Sequence, residues 1–455
     1  MNNGSLIQDY TQGPVARQLL RFAWPFMVSN LLQTAYNLAD MIVVGHFTGP
    51  AGLSAVSIGG EIIHLYTFLA MGLCSAGQIM ISQYIGLKDR PSVSKTIGTM
   101  FGFVLAMSLA VTALGLCFNR VFLGWLNVPV EAWESCLAYT SCCTAGCFFI
   151  YGYNMVSSTL RGMGDSKHPM LFIAAAAVLN VGLDLLFVSG GMGAFGAALA
   201  TVIAQGVSFL GALVFLYRRR EDLGFDFRPR SFLPERRTLG LLIRLGVPMM
   251  LQSCAISISS LFVTSFINAY GVVVSAVTGV GSKLSTVASI ITLALSHAGA
   301  TMVGQNFAAG RFDRVRRILW ISWGAGGVFA ALLSGAVLLW PEPVFALFND
   351  DPAVLAMSRS YAPVAVINFF GWAMRGPSAA LCNGMGFASM NLVLGVTDGV
   401  VMRIGLCLLM GVTLGMGING FWYGSALAGW TFFLVMFPYL LSGRWEKRRP
   451  PVAAG

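Results

Sequence analysis

The sequence predicts an all-α integral membrane protein with twelve transmembrane helices in two six-helix lobes related by an internal parallel repeat. Three observations carry this expectation. The first is composition. Of 455 residues, 56% are hydrophobic and only 10% are charged, with a mean hydropathy of +0.74. Soluble proteins carry roughly 25% charged residues. So little charge cannot clothe a water-facing surface, which excludes a soluble enzyme, a nucleic-acid-binding domain and a disordered chain. The second observation is a run of long apolar segments, and the third is a sequence match between the two halves of the chain.

The apolar segments lie near 19–46, 52–82, 96–118, 133–157, 170–190, 194–217, 240–268, 273–304, 318–340, 360–382, 390–414 and 418–441. Each reaches or exceeds the roughly 20 residues that a helical span needs. Helices satisfy their own backbone in lipid, whereas a β-barrel would show alternating segments of about ten residues. The residues before the first segment, Met1 to Gln18, are polar and lack a small-residue cleavage site after an apolar core, so they do not read as a cleaved signal peptide.

Charge fixes the expected topology. With the N-terminus in the cytoplasm, 23 of the 28 lysines and arginines fall on inside segments. The densest are the 218–238 loop, the Arg311–Arg317 turn and the tail from Arg444. Outside lie only Arg120 and Arg359, and Lys283, Arg375 and Arg403 fall within spans. This is the positive-inside pattern, and it accounts for the net charge of +10 without nucleic acid. The expected protein is a multi-pass integral protein of the plasma (cell inner) membrane with both termini cytoplasmic.

The repeat is read from matched residues. Leu19-Leu20-Arg21-Phe22-Ala23-Trp24-Pro25 matches Leu242-Ile243-Arg244-Leu245-Gly246-Val247-Pro248, and Ser54-Ala55-Val56 matches Ser275-Ala276-Val277. Met80 and Gln83 match Met302 and Gln305, Tyr139 matches Tyr361, and Gly162-Met163-Gly164 matches Gly384-Met385-Gly386. The offsets are 223, 221, 222, 222 and 222. The halves are therefore expected as an N-lobe over 1–217, a connecting loop over 218–238, a C-lobe over 239–443 and a basic tail over 444–455. Each half holds an even number of spans, so both start on the same side. Secondary transporters are often built this way, with the site near the repeat interface.

The chain resembles the multidrug and toxic compound extrusion (MATE) family. The resemblance rests on Thr11-Gln12-Gly13-Pro14 with Leu19 to Pro25, and on Asn37-Leu38-Ala39-Asp40 followed by Val43-Val44-Gly45. It also rests on Ser82-Gln83-Tyr84-Ile85-Gly86, Leu160-Arg161-Gly162-Met163-Gly164-Asp165 and Gly196-Ala197-Ala198-Leu199-Ala200-Thr201. The resemblance covers nearly the whole chain. It implies a V-shaped pair of lobes, alternating access and cation-coupled efflux.

Charges inside spans show where such chemistry would sit. Asp40, Glu61 and Asp184 lie in the first half, and Lys283, Arg375, Asp398 and Arg403 in the second. Each costs roughly 2.5–3.5 kcal/mol at a helix centre, so they must face water or one another. Asn30, Gln33, Asn37 and Asp40 step by 3, 4 and 3 along one helical stripe. Asn180 and Asp184 share a face of the fifth helix, and Thr201, Gln205 and Ser208 share one of the sixth. This oxygen-rich interior suits Na+, and the same carboxylates can take a proton. The resemblance carries Asp40, Asn180, Asp184 and Thr201 onto the family's first-lobe cation or proton site. For Gln33, Gln205 and Ser208, interhelical glue remains an equal alternative. Glu61 and His64, one turn apart, form either a proton relay or a local pair.

The second lobe reads differently. Its hydroxyl stripes, Ser253-Ser257-Ser260-Thr264 and Ser282-Ser285-Ser289-Thr292-Ser296, either line a cavity or allow close packing. No acid lies in the seventh helix, where the NorM branch of the family places a carboxylate, so the resemblance points to the DinF-like branch. Asp398 and Arg375 sit at similar depths on antiparallel helices, and an ion pair is the plain reading. Arg403 and Lys283 either line the cavity, where they can admit anionic or zwitterionic substrates, or join an ion pair. His297 reads as a packing residue.

Nine cysteines do not form a framework. Cys136, Cys142, Cys143 and Cys147 share one apolar segment with no histidine at ligand spacing, so no metal site or cofactor is expected. Gly86-Leu87-Lys88-Asp89-Arg90 only partly matches the loop signature of another transporter superfamily. Asp350-Asp351 has no second acidic cluster, and no phosphate loop is present, so ATP hydrolysis is excluded as the energy source. The expected function is cation-coupled (H+ or Na+) antiport of small organic, amphipathic compounds by a non-enzymatic, monomeric exporter surrounded by lipid, with no nucleic-acid partner. The alternative is a lipid-linked oligosaccharide flippase of the wider superfamily.

Overall fold

The computed structural model describes residues 6–126 and 128–453. The first five residues of the polar N-terminus and the last two of the basic tail lie outside the described residues. Among those described, regular structure is helical throughout.

Twelve spans result once the long helices are divided at their glycines. Val15–Gly86 runs as one helix except at Gly49 (φ 68°, ψ −161°), which separates α1 (15–48) from α2 (50–86). A left-handed φ is open to glycine and strained for most other residues. Then come α3 (Arg90–Trp125) and α4, which is Trp133–Ala145 continued by Cys147–Gly162. The helices α5 (Lys167–Phe187) and α6 (Gly193–Arg218) are joined through a π turn and the glycines Gly191 and Gly193. In the second half, α7 is Arg236–Asn268, α8 Val272–Ala308, α9 Phe312–Leu339 and α10 Pro352–Gly384. The α11 helix starts as Ala388–Val396 and continues through π turns to Thr413, and α12 is Ile418–Ala428 continued by Thr431–Leu441. Many helices outrun the apolar segments by several residues, because a helix continues past the hydrocarbon where hydropathy alone cannot follow it. Starts are chemically marked. The Asp89 carboxylate accepts from Ser92 N at 3.2 Å and Asp351 from Ala353 N at 2.8 Å, each with a proline in the first turn.

Packing shows the repeat atom by atom. A Cβ on Gly162 would lie 2.8 Å from the Gln78 carbonyl and 3.0 Å from Ile81; one on Gly384 would lie 2.7 Å from the Ala300 carbonyl and 2.6 Å from Val303. All three residues are displaced by 222. The turns after these glycines repeat too, with Gly164 at φ 89° and Gly386 at φ 66°.

The chain folds as two compact units. Of the described residues, the first holds 6–9 and those within 28–247, and the second holds Tyr10–Met27 and 248–453. The start of α1 thus belongs to the second unit and the start of α7 to the first, a symmetric exchange. In the second unit Arg314 holds residues 10–18. Its guanidinium donates to the carbonyls of Tyr10 (2.8 Å), Gln12 (3.2 Å) and Gly13 (2.7 Å), and to Gln18 Oε1 (3.1 Å). The tail is docked as well: Trp445 is fully buried against Phe307 and Phe312, and Arg448 stacks over Phe387.

The 218–238 segment, expected as a connecting loop, is a strap packed on the first unit. Phe225, Phe227 and Phe232 surround Phe101 of α3, and Glu235 takes an ion pair from Lys95 at 3.0 Å. The Ser231 hydroxyl and the Arg228 backbone N–H hold the exposed Asp226 carboxyl below its usual range. The strap backbone lies in a groove made by two glycines one turn apart. A Cβ on Gly98 would sit 1.9 Å from the Ser231 carbonyl, and one on Gly102 1.9 Å from that of Phe232. Gly98→Leu should therefore expel the strap while leaving α3 helical. Trypsin cleavage at Arg228 and Arg230 is expected to accelerate at least about tenfold, as loss of about 1.4 kcal/mol of docking gives. Unchanged cleavage would show that the groove is dispensable.

Candidate functional site

The first unit brings α1, α5 and α6 together around a polar cluster. Small buried residues, among them Ala176, Ala177, Ala197, Ala200 and Ala204, let α5 and α6 approach closely. Ser208 fastens the pair by donating to the Phe172 carbonyl at 2.8 Å, which is the gluing role open to it from sequence. Asn180 and Asp184, one turn apart on α5, are buried, and Asn180 Nδ2 donates to Thr201 Oγ1 on α6 at 3.4 Å. A cavity of about 10 Å³ is lined by Tyr36, Ala176, Asn180, Thr201, Ala204 and Gln205, with room for about one water. On α1, Asp40 is 7% exposed and its carboxyl interacts directly with that of Asp184, which is 0% exposed.

The electrostatics of this cluster are one-sided. Asp40 Oδ1, both carboxyl oxygens of Asp184, Asn180 Oδ1 and Gln205 Oε1 are buried and meet no hydrogen-bond donor among the described residues. Buried acceptors normally find donors, and leaving one unmet costs about 1–3 kcal/mol. Chemically, so many undonated oxygens in one place can accept a donor or an electrophile, whether a proton or a small cation.

Sequence reading missed two members. Tyr36 lies beside Gln33, Asp40, Gln205 and Tyr153, and Tyr139 lies beside Asp40, Asp184 and Cys143. Tyr36 was legible: it stands three residues after Gln33 and four before Asp40, on the same stripe. Gln33 and Asn37 are exposed on α1 and are not among the cavity-lining residues. Glu61 and His64 on α2 are both exposed, and no ion pair or hydrogen bond joins them among the described residues; the His64 ring stacks near Phe68 instead.

The second unit holds a charge cluster of another kind. Asp398, 0% exposed, takes Arg375 on one oxygen and Arg403 on the other, the latter at 3.2 Å. Arg403 also donates to Ser425 Oγ at 3.2 Å, and Arg375 lies over the Phe432 ring at 4.8 Å. The expected pair is thus a triad, and Arg403, given as either cavity-lining or paired, is paired. A π turn over Thr397–Ile404 explains the third member. In an α-helix, residues five apart point about 140° away from each other. The i→i+5 turn brings Asp398 and Arg403 onto one side. Lys283 is exposed on α8, its ammonium 5.8 Å from the Phe348 ring. Several stripe hydroxyls turn back onto their own helices: Ser253 donates to the Met249 carbonyl, Thr264 to Ser260 and Ser289 to Thr286. His297 stacks on Phe26. The cysteines are free thiols, and no group of three or more His, Cys, Asp or Glu side chains is placed to hold a metal among the described residues.

The MatE family model matches the chain twice, over residues 25–186 and 248–409. The chain is 29% identical over 450 residues to the probable multidrug resistance protein YpnP of Bacillus subtilis (strain 168), covering 96% of this chain and 97% of that one. It is 23% identical over 441 residues to the probable multidrug resistance protein NorM of Thermotoga maritima, covering 95% and 94%. Among solved structures, an outward-facing multidrug resistance MATE family transporter of the MOP superfamily aligns with a TM-score of 0.89 at 22% identity, over 98% of this chain and all of that one. The fold, the doubled family match and the end-to-end coverage agree: this chain is a multi-pass integral membrane protein of the MatE family, the multidrug and toxic compound extrusion transporters.

Proposed function

We propose that the protein is a multidrug exporter that drives small organic, amphipathic compounds out of the cell by exchange for an entering cation, with the proton as the coupling ion. The observation that carries this reading is the set of buried, undonated oxygens on Asp40, Asn180, Asp184 and Gln205. A proton placed between the carboxyls of Asp40 and Asp184 gives that pair the donor it lacks, and removes the repulsion of two buried like charges. The cluster then changes charge by one unit as it loads and unloads. That change is what an antiporter must tie to opening and closing. Thr201 and Tyr36 border the cavity that Asn180 and Gln205 also line. The relatives named as multidrug resistance proteins support the efflux direction and the substrate class.

The energetics suffice. One proton entering across about 100 mV releases roughly 2.3 kcal/mol, and a tenfold substrate gradient costs about 1.4 kcal/mol. The oligosaccharide-flippase alternative calls for a cationic cavity. Two of the three intramembrane bases of the second unit are instead neutralised in part by Asp398.

The test is substrate-dependent ion flux in proteoliposomes, with pH and Na+ gradients varied separately at fixed membrane potential. Export should follow the pH gradient and ignore Na+. Dependence on Na+ alone would transfer the coupling role to Na+ on the same oxygens, and indifference to both would end the antiport reading.

A further inference from the structure

Glu61 and Lys283 occupy equivalent positions in the two units with opposite charge. The equivalence is anchored by packing. A Cβ on Gly59 would lie 2.6 Å from the Tyr139 ring, and one on Gly281 would lie 2.3 Å from the Tyr361 ring. Both the glycines and the tyrosines are 222 residues apart. Two residues beyond each glycine, the same helical turn presents Glu61 on α2 and Lys283 on α8.

Both side chains are exposed, and both stand on polar faces. Ser57 and His64 flank Glu61, four residues before and three after, and are exposed with it. Ser282 and Thr286 are exposed beside Lys283, and Ser257, Ser260 and Thr264 are exposed along α7 of the same unit. Charges on the exposed side of a membrane helix mark a wetted face, because lipid tails offer them no partners; hydroxyls that turn back onto their own helix, as Thr264 does to Ser260 and Thr286 to Ser282, are compatible with it. On the second unit's face Lys283 has no carboxylate partner among the described residues. Arg375 and Arg403 are both engaged by Asp398. Lys283 is therefore the cation that this polar face has available for a ligand, with the Phe348 ring beside it as an apolar surface.

We propose that Lys283 is an anion-recognition residue, so that the substrates include amphiphilic compounds bearing a carboxylate, sulfonate or phosphate group. The ammonium meets the anionic group while it stays hydrated at its other positions. The proposal rests on the exporter reading above and adds the substrate class.

The experiment compares two dyes on one xanthene scaffold, anionic carboxyfluorescein and cationic rhodamine 6G, in proteoliposomes under an imposed proton gradient. Wild type should concentrate both. Lys283→Gln should raise KM for carboxyfluorescein about tenfold or more, the loss of one charge-assisted contact, and leave rhodamine 6G unchanged. Lys283→Arg should keep anion transport, and Lys283→Glu should abolish it while sparing the cation. Lys283 is exposed, so each variant should melt as wild type does. An equal loss for both dyes, no change for the anion, or a wild type that moves only the cation would overturn the proposal while the exporter reading stands. A wild type that moves neither dye would remove the exporter reading and this inference with it.

Discussion

Asp184→Asn is expected to abolish uphill export while the protein stays folded and inserted. The substitution keeps the shape of the side chain and removes its charge. Asp184 is fully buried, and neither of its carboxyl oxygens meets a donor among the described residues. The new amide can donate to Asp40, so the melting temperature should not fall. What is lost is the site's change of charge on loading. A proton crossing about 100 mV supports roughly 2.3 kcal/mol, about a 50-fold substrate gradient. The mutant should bring the dye to equal concentrations at most. The measurement is dye accumulation against an imposed proton gradient, at matched expression and with thermal unfolding recorded beside it. Wild-type accumulation by Asp184→Asn would remove the proposed coupling site. A large fall in melting temperature would instead assign Asp184 a structural role.

The same residues show what a sequence can and cannot disclose. The Asn180–Asp184 turn and the Thr201–Gln205 turn were legible because α-helical periodicity holds there, so spacing converts directly into a shared face; of the α1 stripe, Asp40 is buried in the cluster whereas Gln33 and Asn37 are exposed. Tyr36 and Tyr139 were passed over because an aromatic residue in an apolar run reads as packing. Spacing alone could have placed Tyr36 with Asp40, whereas only the fold sets Tyr139 there. The repeat was legible for a different reason: the glycines and tyrosines that recur at 222 residues are fixed by close backbone contact, which few substitutions survive. The strap over 218–238 was read as a connecting loop because its charged residues dominate its composition. Its three phenylalanines and the glycine groove of α3 are what dock it. Spacing could not pair Arg403 with Asp398, because residues five apart diverge in an α-helix and only the π turn brings them together.

The Asp398 cluster gives the largest expected loss of stability. Asp398→Ala removes the one carboxylate held by two partly buried guanidiniums, each with 14% of its side chain exposed. Breaking a buried pair by deleting one partner costs about 3–5 kcal/mol, because the remaining charge is stranded. Here two charges are stranded, and Arg403 Nε already lacks an acceptor among the described residues. Arg375→Ala and Arg403→Ala should each cost less than Asp398→Ala, since Asp398 keeps one arginine in either case. The double change Asp398→Ala/Arg375→Ala should then be more stable than Asp398→Ala alone. The recovery should be incomplete, because Arg403 remains without its carboxylate. Replacing both arginines by methionine in the Asp398→Ala background should recover more, since an apolar side chain of similar length fills the space without charge. Thermal unfolding of the purified variants in one detergent reads this order directly, and a double-mutant cycle isolates the coupling. Strictly additive losses would show that the three residues act independently. Recovery complete after removal of Arg375 alone would show that Arg403 draws its support from Ser425 and not from Asp398.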